Sequence, residues 1–170
     1  QLARVHHQHR RAVDRRLGRH RMEERDVVDA VGEIGEQVAH PLARLAVLLE
    51  LELRWRDDTA DLLATCDIFL CPSRHEPLGN VILEAFAQSK PVIAAASTGP
   101  ASLINHGENG LLFSIDDKDD LAQAINRMRQ EPDFKRSFGS AGHASYKAQF
   151  TQKVVLRQWL EFFSSITVKG

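Results

Sequence analysis

The sequence predicts an α/β fold in which helices flank a parallel β-sheet, with an irregular or helical segment before it. Short apolar runs alternate with helical stretches from about residue 55 to the end of the chain. This alternation indicates a parallel sheet, because each connection between parallel strands must cross back over the sheet, usually as a helix. The runs are apolar throughout, which is typical of strands buried on both faces.

The first predicted elements are a helix, a strand and a second helix. Asp58 is suited to cap a helix that runs through residue 65. The apolar run 68–71 predicts a buried strand, which Pro72 ends. The loop 73–78 then leads into a helix over about 79–89. This loop follows the carboxyl end of a predicted strand, where ligands of parallel α/β domains bind.

The remaining elements follow from turn residues and helical spacing. Asp116, Asp117 and Asp119 open a helix that ends near residue 130, since acidic side chains favour the positive end of the helix dipole. The other predicted elements are a strand over 91–95, a short helix after the turn 97–100, a strand over 111–113 and helices over 132–148 and 151–167.

Composition excludes several classes of protein. The 170 residues are 43% hydrophobic and 26% charged, and no run of eighteen apolar residues exists to cross a membrane. Lys and Arg number 22 against 23 acids, so the net charge of -1 gives no general field for nucleic acid. Cys66 and Cys71 lack the spacing of a zinc or redox pair, and we expect buried, reduced thiols in a cytoplasmic protein.

Residues 1–54 differ in composition from residues 55–170, which predicts a domain boundary at Trp55. The first segment has ten Arg and five His but no Lys, Ser, Thr, Asn, Phe, Tyr or Cys, whereas the second contains 36 residues of those seven types. Three interpretations of the first segment are a basic nucleic-acid arm, a metal site at His6, His7 and His9, and two helices. The helices would carry apolar stripes at spacings of three or four: Val27, Val31, Ile34 and Val38, then Leu42, Leu45, Leu49 and Leu53.

The loop and helix around residue 79 form the most informative constellation. Glu76 precedes the helix and Glu84 lies in its second turn, and we expect unpaired backbone N–H groups at its start, on Leu78, Gly79, Asn80 and Val81. Unpaired donors and the positive end of the helix dipole favour a phosphate. Spacing alone leaves two interpretations open, namely a nucleotide-sugar site and two solvated surface carboxylates.

Several linked motifs resemble one enzyme family. Residues 66–95, CDIFLCPSRHEPLGNVILEAFAQSKPVIAA, resemble the donor-binding core of the group 1 (family four) retaining glycosyltransferases of GT-B fold. The resemblance continues through Gly99-Pro100 and residues 107–112 and covers about 115 residues, including a terminal helix that crosses back to the other domain in that family. It implies a Rossmann-like sheet forming the C-terminal half of a GT-B fold.

The resemblance also implies roles for individual residues. Glu84 would bind the ribose hydroxyls of a nucleotide-sugar, and Glu76, as the catalytic residue, would contact the transferred sugar. The amides around Leu78, Gly79, Asn80 and Val81 would face the sugar and the diphosphate. The family needs no cofactor and no essential metal, since the nucleotide-sugar is a substrate, and it serves polysaccharide or lipopolysaccharide biosynthesis in the cytoplasm or at the inner face of the membrane.

Some residues depart from the family pattern or stay ambiguous. Ser102 stands where the family often has Glu, while Arg74 is either a solvated loop residue or a phosphate ligand. His75 and His106 flank the expected cleft and are interpreted as loop residues. The family's second domain also opens with a strand and a Gly-Arg loop followed by Lys, but no Lys precedes Lys90.

These departures predict a truncated chain with little or no transferase activity, because the acceptor-binding N-terminal domain is missing. The alternatives are a non-catalytic nucleotide-sugar-binding module and one half of a split enzyme. A frameshift or misjoined start upstream of Trp55 is a further hypothesis for residues 1–54. Another frame of the same DNA would then encode the Gly-Arg loop and its Lys.

Overall fold

The computed structural model describes residues 45–47 and 59–167. Four strands and six helices lie within these residues. The strands are β1 (Leu45–Val47), β2 (Ile68–Cys71), β3 (Val92–Ala95) and β4 (Leu111–Phe113). The helices are α1 (Thr59–Thr65), α2 (Asn80–Ala87), α3 (Thr98–Leu103), α4 (Lys118–Gln130), α5 (Pro132–Gln149) and α6 (Gln152–Thr167).

The strands form one sheet in the order β1-β2-β3-β4, and every neighbouring pair is parallel. The predicted α/β class and Rossmann-like parallel sheet are therefore confirmed. Cys71 pairs with Ala94, and Ala95 pairs with Phe113. Because this register aligns the carboxyl ends of β2, β3 and β4, the loops that follow these strands emerge at one edge of the sheet.

The two-helix interpretation of residues 1–54 is wrong at Leu45–Val47, which form β1 and not part of a helix over Leu42 to Leu53. Leu45 pairs with Ile68 and Val47 pairs with Leu70, so these residues extend the sheet beyond β2. A short apolar run fits a strand as well as a helix, and here pairing with the edge of β2 decides between them. The stripe from Val27 to Val38, the arginines of residues 1–25 and His6, His7 and His9 lie outside the described residues.

The core has two layers, one on each face of the sheet. Alternate side chains of the strands enter opposite layers, which explains why β2 and β3 are apolar throughout. One layer packs the sheet against α4 and α5 through Ile68, Leu70, Ile93, Leu111, Phe113, Leu121, Ile125, Met128 and Phe138. The other packs it against α2 through Leu63, Phe69, Cys71, Ile82, Ala85, Phe86, Val92, Ala94 and Ile104.

The last helix, α6, carries large apolar side chains that stay in solvent. Its exposed apolar face consists of Leu156, Trp159, Leu160, Phe162, Phe163 and Ile166. The Trp159 and Phe163 rings stack with centroids 5.6 Å apart, and Phe162 meets both rings edge-on. Neither α6 nor any other helix of the described residues combines the length and apolar character needed to cross a membrane.

Candidate functional site

The loops at the carboxyl edge of the sheet bring together residues from three separate segments. Residues 72–79 connect β2 to α2, residues 96–97 connect β3 to α3, and residues 114–117 connect β4 to α4. These connections are short, and the sheet register holds their starting points side by side. The edge of the sheet thus supplies a rigid base for the predicted site residues.

Glu76 is fixed by a hydrogen bond within its own loop. The backbone N–H of Gly79 donates to Oε1 of Glu76 over 2.8 Å. Gly79 is the N-cap of α2 and adopts the left-handed conformation, with φ 74° and ψ 27°, which a glycine adopts without a steric penalty. The expectation of four unpaired amides is therefore wrong for Gly79, because the Glu76 carboxylate accepts this hydrogen.

A glycine on α3 holds the same loop from the other side. The backbone N–H of Gly99 donates to the carbonyl oxygen of Glu76 over 2.7 Å. A Cβ atom built on Gly99 would lie 2.5 Å from that oxygen and 2.5 Å from the nitrogen of Gly79. Only a residue without a side chain allows α3 to approach the loop this closely.

The start of α2 presents further backbone donors. Ile82 and Leu83 are the first amides of the helix to bond the Gly79 carbonyl, at 2.9 and 3.2 Å. The amides of Asn80 and Val81 precede them in the first turn, where a helix provides no acceptor of its own. The start of α2 thus presents fewer unpaired amides than expected, and Leu78 beside it is 69% exposed. The anion site stays a prediction.

Glu84 lies on the solvent-facing side of α2. Ile82, Ala85 and Phe86 occupy the buried side of this helix. Asn80 and Glu84 are exposed and four residues apart, so one lies above the other on the opposite side. Glu84 is thus accessible to a ligand that also contacts the first turn of α2.

Arg74 joins the loop after β2 to the loop after β4. Its guanidinium forms an ion pair with Asp116, with Nη2 and Oδ2 2.5 Å apart. The two side chains are partly buried, with 24% and 14% of their surfaces exposed. Arg74 is therefore largely shielded from solvent, and the carboxylate of Asp116 compensates its charge.

Two other polar residues singled out from the sequence, His106 and Ser102, form hydrogen bonds within the fold. Nδ1 of His106 accepts a hydrogen bond from the backbone N–H of Leu112 over 3.1 Å, which supports its interpretation as a loop residue. The Ser102 hydroxyl donates to the carbonyl oxygen of Gly99 over 2.7 Å. His75 is exposed in the loop itself.

Lys90 does not belong to this edge of the sheet. Its ammonium donates to the carbonyl oxygens of Ala64 and Cys66, at 2.7 and 2.9 Å, at the end of α1. Both acceptors precede β2, so Lys90 lies at the amino edge. It therefore cannot supply the lysine that the resemblance places beside the donor phosphates.

The two cysteines belong to the buried interior of the domain. Cys66 and Cys71 are buried thiols, and the Cys66 Sγ donates to the Leu63 carbonyl oxygen over 3.1 Å. Over residues 45–47 and 59–167, no group of three or more His, Cys, Asp or Glu side chains is arranged to hold a metal ion.

Sequence reasoning missed two contributors to the site. The sequence places Gly99 only in a turn, although a glycine at the start of a helix also allows another backbone to approach closely. It predicts Asp116 at the opening of α4, but Asp117 caps that helix by accepting hydrogen bonds from the amides of Asp119 and Asp120. Nothing in the local sequence indicates that Asp116 pairs with Arg74.

The fold defines a parallel α/β domain in which three loops and the start of α2 meet at the carboxyl edge of the sheet. The family model for "Glycosyl transferases group 1" matches residues 18–131. The chain therefore belongs to the group 1 glycosyltransferases, and the resemblance to their C-terminal, GT-B domain is confirmed.

Individual relatives agree with this assignment. The lipopolysaccharide core biosynthesis glycosyltransferase LpsE of Rhizobium meliloti is 38% identical over 111 residues, which are 65% of this chain and 33% of that protein. An alpha-maltose-1-phosphate synthase of Mycolicibacterium smegmatis is 30% identical over 83% of this chain and 38% of its own length. The chain thus spans about a third of the length of these curated relatives.

Solved structures show the same fold. Anabaena Alr3699/HepE, in complex with UDP and glucose, superposes with a TM-score of 0.69 and is 27% identical, covering 85% of this chain and 46% of its own. A C-terminal domain of a group 1 glycosyltransferase (LpcC) from Francisella tularensis superposes with a TM-score of 0.54 at 19% identity, over 60% of this chain and 53% of its own.

Proposed function

We propose that this chain is the donor-binding half of a glycosyltransferase that transfers a sugar from a nucleotide-sugar with retention of configuration. The observation that carries the proposal is the junction of the 72–79 loop, α2 and α3, where Glu76 is held by Gly79 and Gly99 beside the open first turn of α2. Membership of a glycosyltransferase family supports a sugar-nucleotide as the ligand of this edge. The complexes of HepE with UDP and UDP-glucose support the same class of donor.

The two carboxylates have different tasks in this proposal. Glu84, exposed one turn into α2, accepts hydrogen bonds from the ribose hydroxyls. Glu76 contacts hydroxyls of the transferred sugar and is the catalytic residue. The amides of Leu78, Asn80 and Val81 face the sugar and the diphosphate, while the Gly79 amide keeps Glu76 in place.

In the proposed reaction the bond between the anomeric carbon and the diphosphate oxygen breaks. The acceptor hydroxyl oxygen bonds to that carbon, and its proton leaves with the nucleoside diphosphate or passes to solvent. Preorganised amides at a helix start stabilise the negative charge that develops on the leaving group. In this proposal, no metal or cofactor takes part in the reaction.

The second half of the enzyme binds the acceptor, and we expect little transferase activity without it. The chain spans about a third of the length of LpsE. Arg74 is paired with Asp116 and Lys90 lies at the opposite edge, so in this proposal neither side chain balances the charge of the diphosphate. The exposed apolar face of α6 is the surface on which we place the acceptor-binding domain, because six large side chains lie there in solvent.

Two alternatives to this proposal are a non-catalytic nucleotide-sugar-binding module and one half of a split enzyme. The uncovered face of α6 favours the split enzyme.

The names of LpsE and LpsD support lipopolysaccharide assembly as the process in which the enzyme acts. That process would place the enzyme in the cytoplasm, peripheral at the inner face of the membrane.

The decisive experiment is titration of the 170-residue chain with UDP, GDP and ADP by calorimetry. We expect one of the three to bind, and Glu84→Gln to weaken it about tenfold, because hydrogen bonds to a charged carboxylate contribute about 1.5–3 kcal/mol. Glu108→Gln is the matched control, since Glu108 is an exposed glutamate in the turn before β4. Equal affinity of the two variants would remove the ribose role from Glu84.

A second assay separates the rivals. Donor turnover is measured with the chain alone and after addition of an acceptor domain encoded beside its gene. Turnover only in the mixture identifies a split enzyme, whereas donor binding without turnover in either sample identifies a binding module. Turnover by the chain alone, near that of an intact family member, would contradict the proposed dependence on a second domain.

A further inference from the structure

The ion pair between Arg74 and Asp116 connects two loops whose strands are not neighbours in the sheet. Arg74 follows β2 and Asp116 follows β4, and β3 lies between these two strands. The pair therefore bridges the carboxyl edge across the middle strand. Since both side chains are more than three-quarters covered, water screens the pair less than it screens an exposed pair.

The loop that carries Asp116 is fixed by its backbone conformation and by hydrogen bonds of neighbouring residues. Asp116 adopts a left-handed backbone conformation with φ 64°, which Asp and Asn tolerate better than most residues. The neighbouring Asp117 caps α4, and Oδ2 of Asp120 accepts a hydrogen bond from the amide of Ser114 over 2.7 Å. The β4–α4 loop is thus fixed on both sides of Asp116.

The loop that carries Glu76 needs an anchor on its N-terminal side. The two hydrogen bonds that hold Glu76 reach Gly79 in the same loop and Gly99 on α3. Arg74 lies two residues before Glu76 and forms its ion pair with Asp116 in the loop after β4. The ion pair and the contact with α3 therefore hold the loop from opposite sides of Glu76.

We propose that the Arg74–Asp116 pair is a clasp that positions Glu76, and that Arg74 is a positioning residue rather than a ligand of the donor phosphates. The inference rests on the proposed donor site, because Glu76 acts on the transferred sugar there. Loosening the clasp lowers the affinity for a nucleotide-sugar more than the affinity for the nucleotide alone. Glu84 lies one turn into α2, beyond the loop that the clasp holds, so we expect it to keep its place when the clasp is lost.

Hydrogen exchange tests the clasp without any ligand. In Asp116→Asn, which keeps the size of the side chain and its tolerance of positive φ, we expect the amides of Gly79 and Gly99 to exchange about fivefold faster relative to the core amide of Leu121. The control is Asp133→Asn, which breaks the exposed pair of Asp133 with Arg136 on α5. A change at Gly79 and Gly99 no larger than the change at Leu121 would overturn the clasp.

Calorimetry with UDP and UDP-glucose tests its effect on the site. We expect Arg74→Met to leave the Kd for UDP within about twofold of the wild type and to raise the Kd for UDP-glucose about fivefold, with partial rescue in Arg74→Lys. Equal weakening of both ligands would make Arg74 a phosphate ligand and refute its positioning role. If the wild-type chain binds neither ligand, the proposed donor site fails for these two compounds, and hydrogen exchange still decides the clasp.

Discussion

Gly99→Ala would disturb the candidate site, because Gly99 packs directly against the 72–79 loop. The added Cβ would lie 2.5 Å from the Glu76 carbonyl oxygen, 2.5 Å from the Gly79 nitrogen and 2.8 Å from the Leu78 carbonyl carbon. All three atoms belong to backbone, so no side chain can rotate out of the way. The 72–79 loop and α3 must therefore move apart.

The expected magnitude follows from the contacts. Separations below 3.0 Å essentially never occur for real Cβ atoms, so the loop must retreat by about 0.5 Å or more. Overpacking of this kind costs about 1–3 kcal/mol. The 2.7 Å hydrogen bond from Gly99 to Glu76 is lost or stretched as well, which adds about 1 kcal/mol. We expect the free energy of unfolding to fall by about 2–4 kcal/mol and the Tm to fall by about 10 °C.

Urea unfolding followed by circular dichroism measures this change, and Gly107→Ala is the matched control. A Cβ on Gly107 would meet nothing within 4 Å, but its φ of 84° is unfavourable for alanine. Its loss of about 1 kcal/mol is thus conformational, whereas the loss at Gly99 is steric. If Gly99→Ala were no more destabilising than Gly107→Ala, the close packing of α3 on the loop would be refuted.

Three further predictions concern other elements of the domain. Asp117→Ala removes the N-cap of α4 and should lower the free energy of unfolding by about 1 kcal/mol in urea titrations. Ser97→Ala should change it by less than about 0.5 kcal/mol, or raise it, because the buried Ser97 hydroxyl has no hydrogen-bond partner. Phe162→Ser combined with Trp159→Ser should lower the Tm by no more than a few degrees in thermal unfolding followed by circular dichroism, because both side chains are more than half exposed.

Each of these predictions has a contrary result. An unchanged stability in Asp117→Ala would mean that the two capping hydrogen bonds contribute nothing to α4. A loss above about 1 kcal/mol in Ser97→Ala would show that the hydroxyl is bonded in solution. A large fall in Tm for the double variant of α6 would show that its aromatic residues belong to the core of this domain.

The sequence predicts the architecture of residues 59–167 because its strands and its helices have different apolar patterns. Strands β2 and β3 are buried at every position and β4 at two of its three, so their apolar runs are continuous. Pro72, Ser97 and Ser114 follow these runs. The helices between the strands carry apolar residues at a period that no strand shares. At Leu45–Val47 the same reasoning failed, because three apolar residues carry no period and only pairing with β2 makes them a strand.

The compositional boundary at Trp55 does not coincide with the start of the sheet. β1 lies upstream of it, and the family model matches from residue 18. The described residues therefore include a strand upstream of Trp55. The domain boundary and the reading frame of residues 1–54 stay predictions, and the hypothesis of a misjoined start must now account for a strand that pairs in register with β2.

The site was less predictable than the fold because its contacts join segments that are distant in the sequence. Local patterns place Glu76 before a helix and Glu84 within it, since a helix start and its period are properties of neighbouring residues. The contact of Gly99 with Glu76 and the ion pair of Arg74 with Asp116 arise only when parallel strands align their carboxyl ends. Both contacts act on the same loop. The sequence therefore predicts which residues would contact a donor, while the fold determines which residues hold them in place.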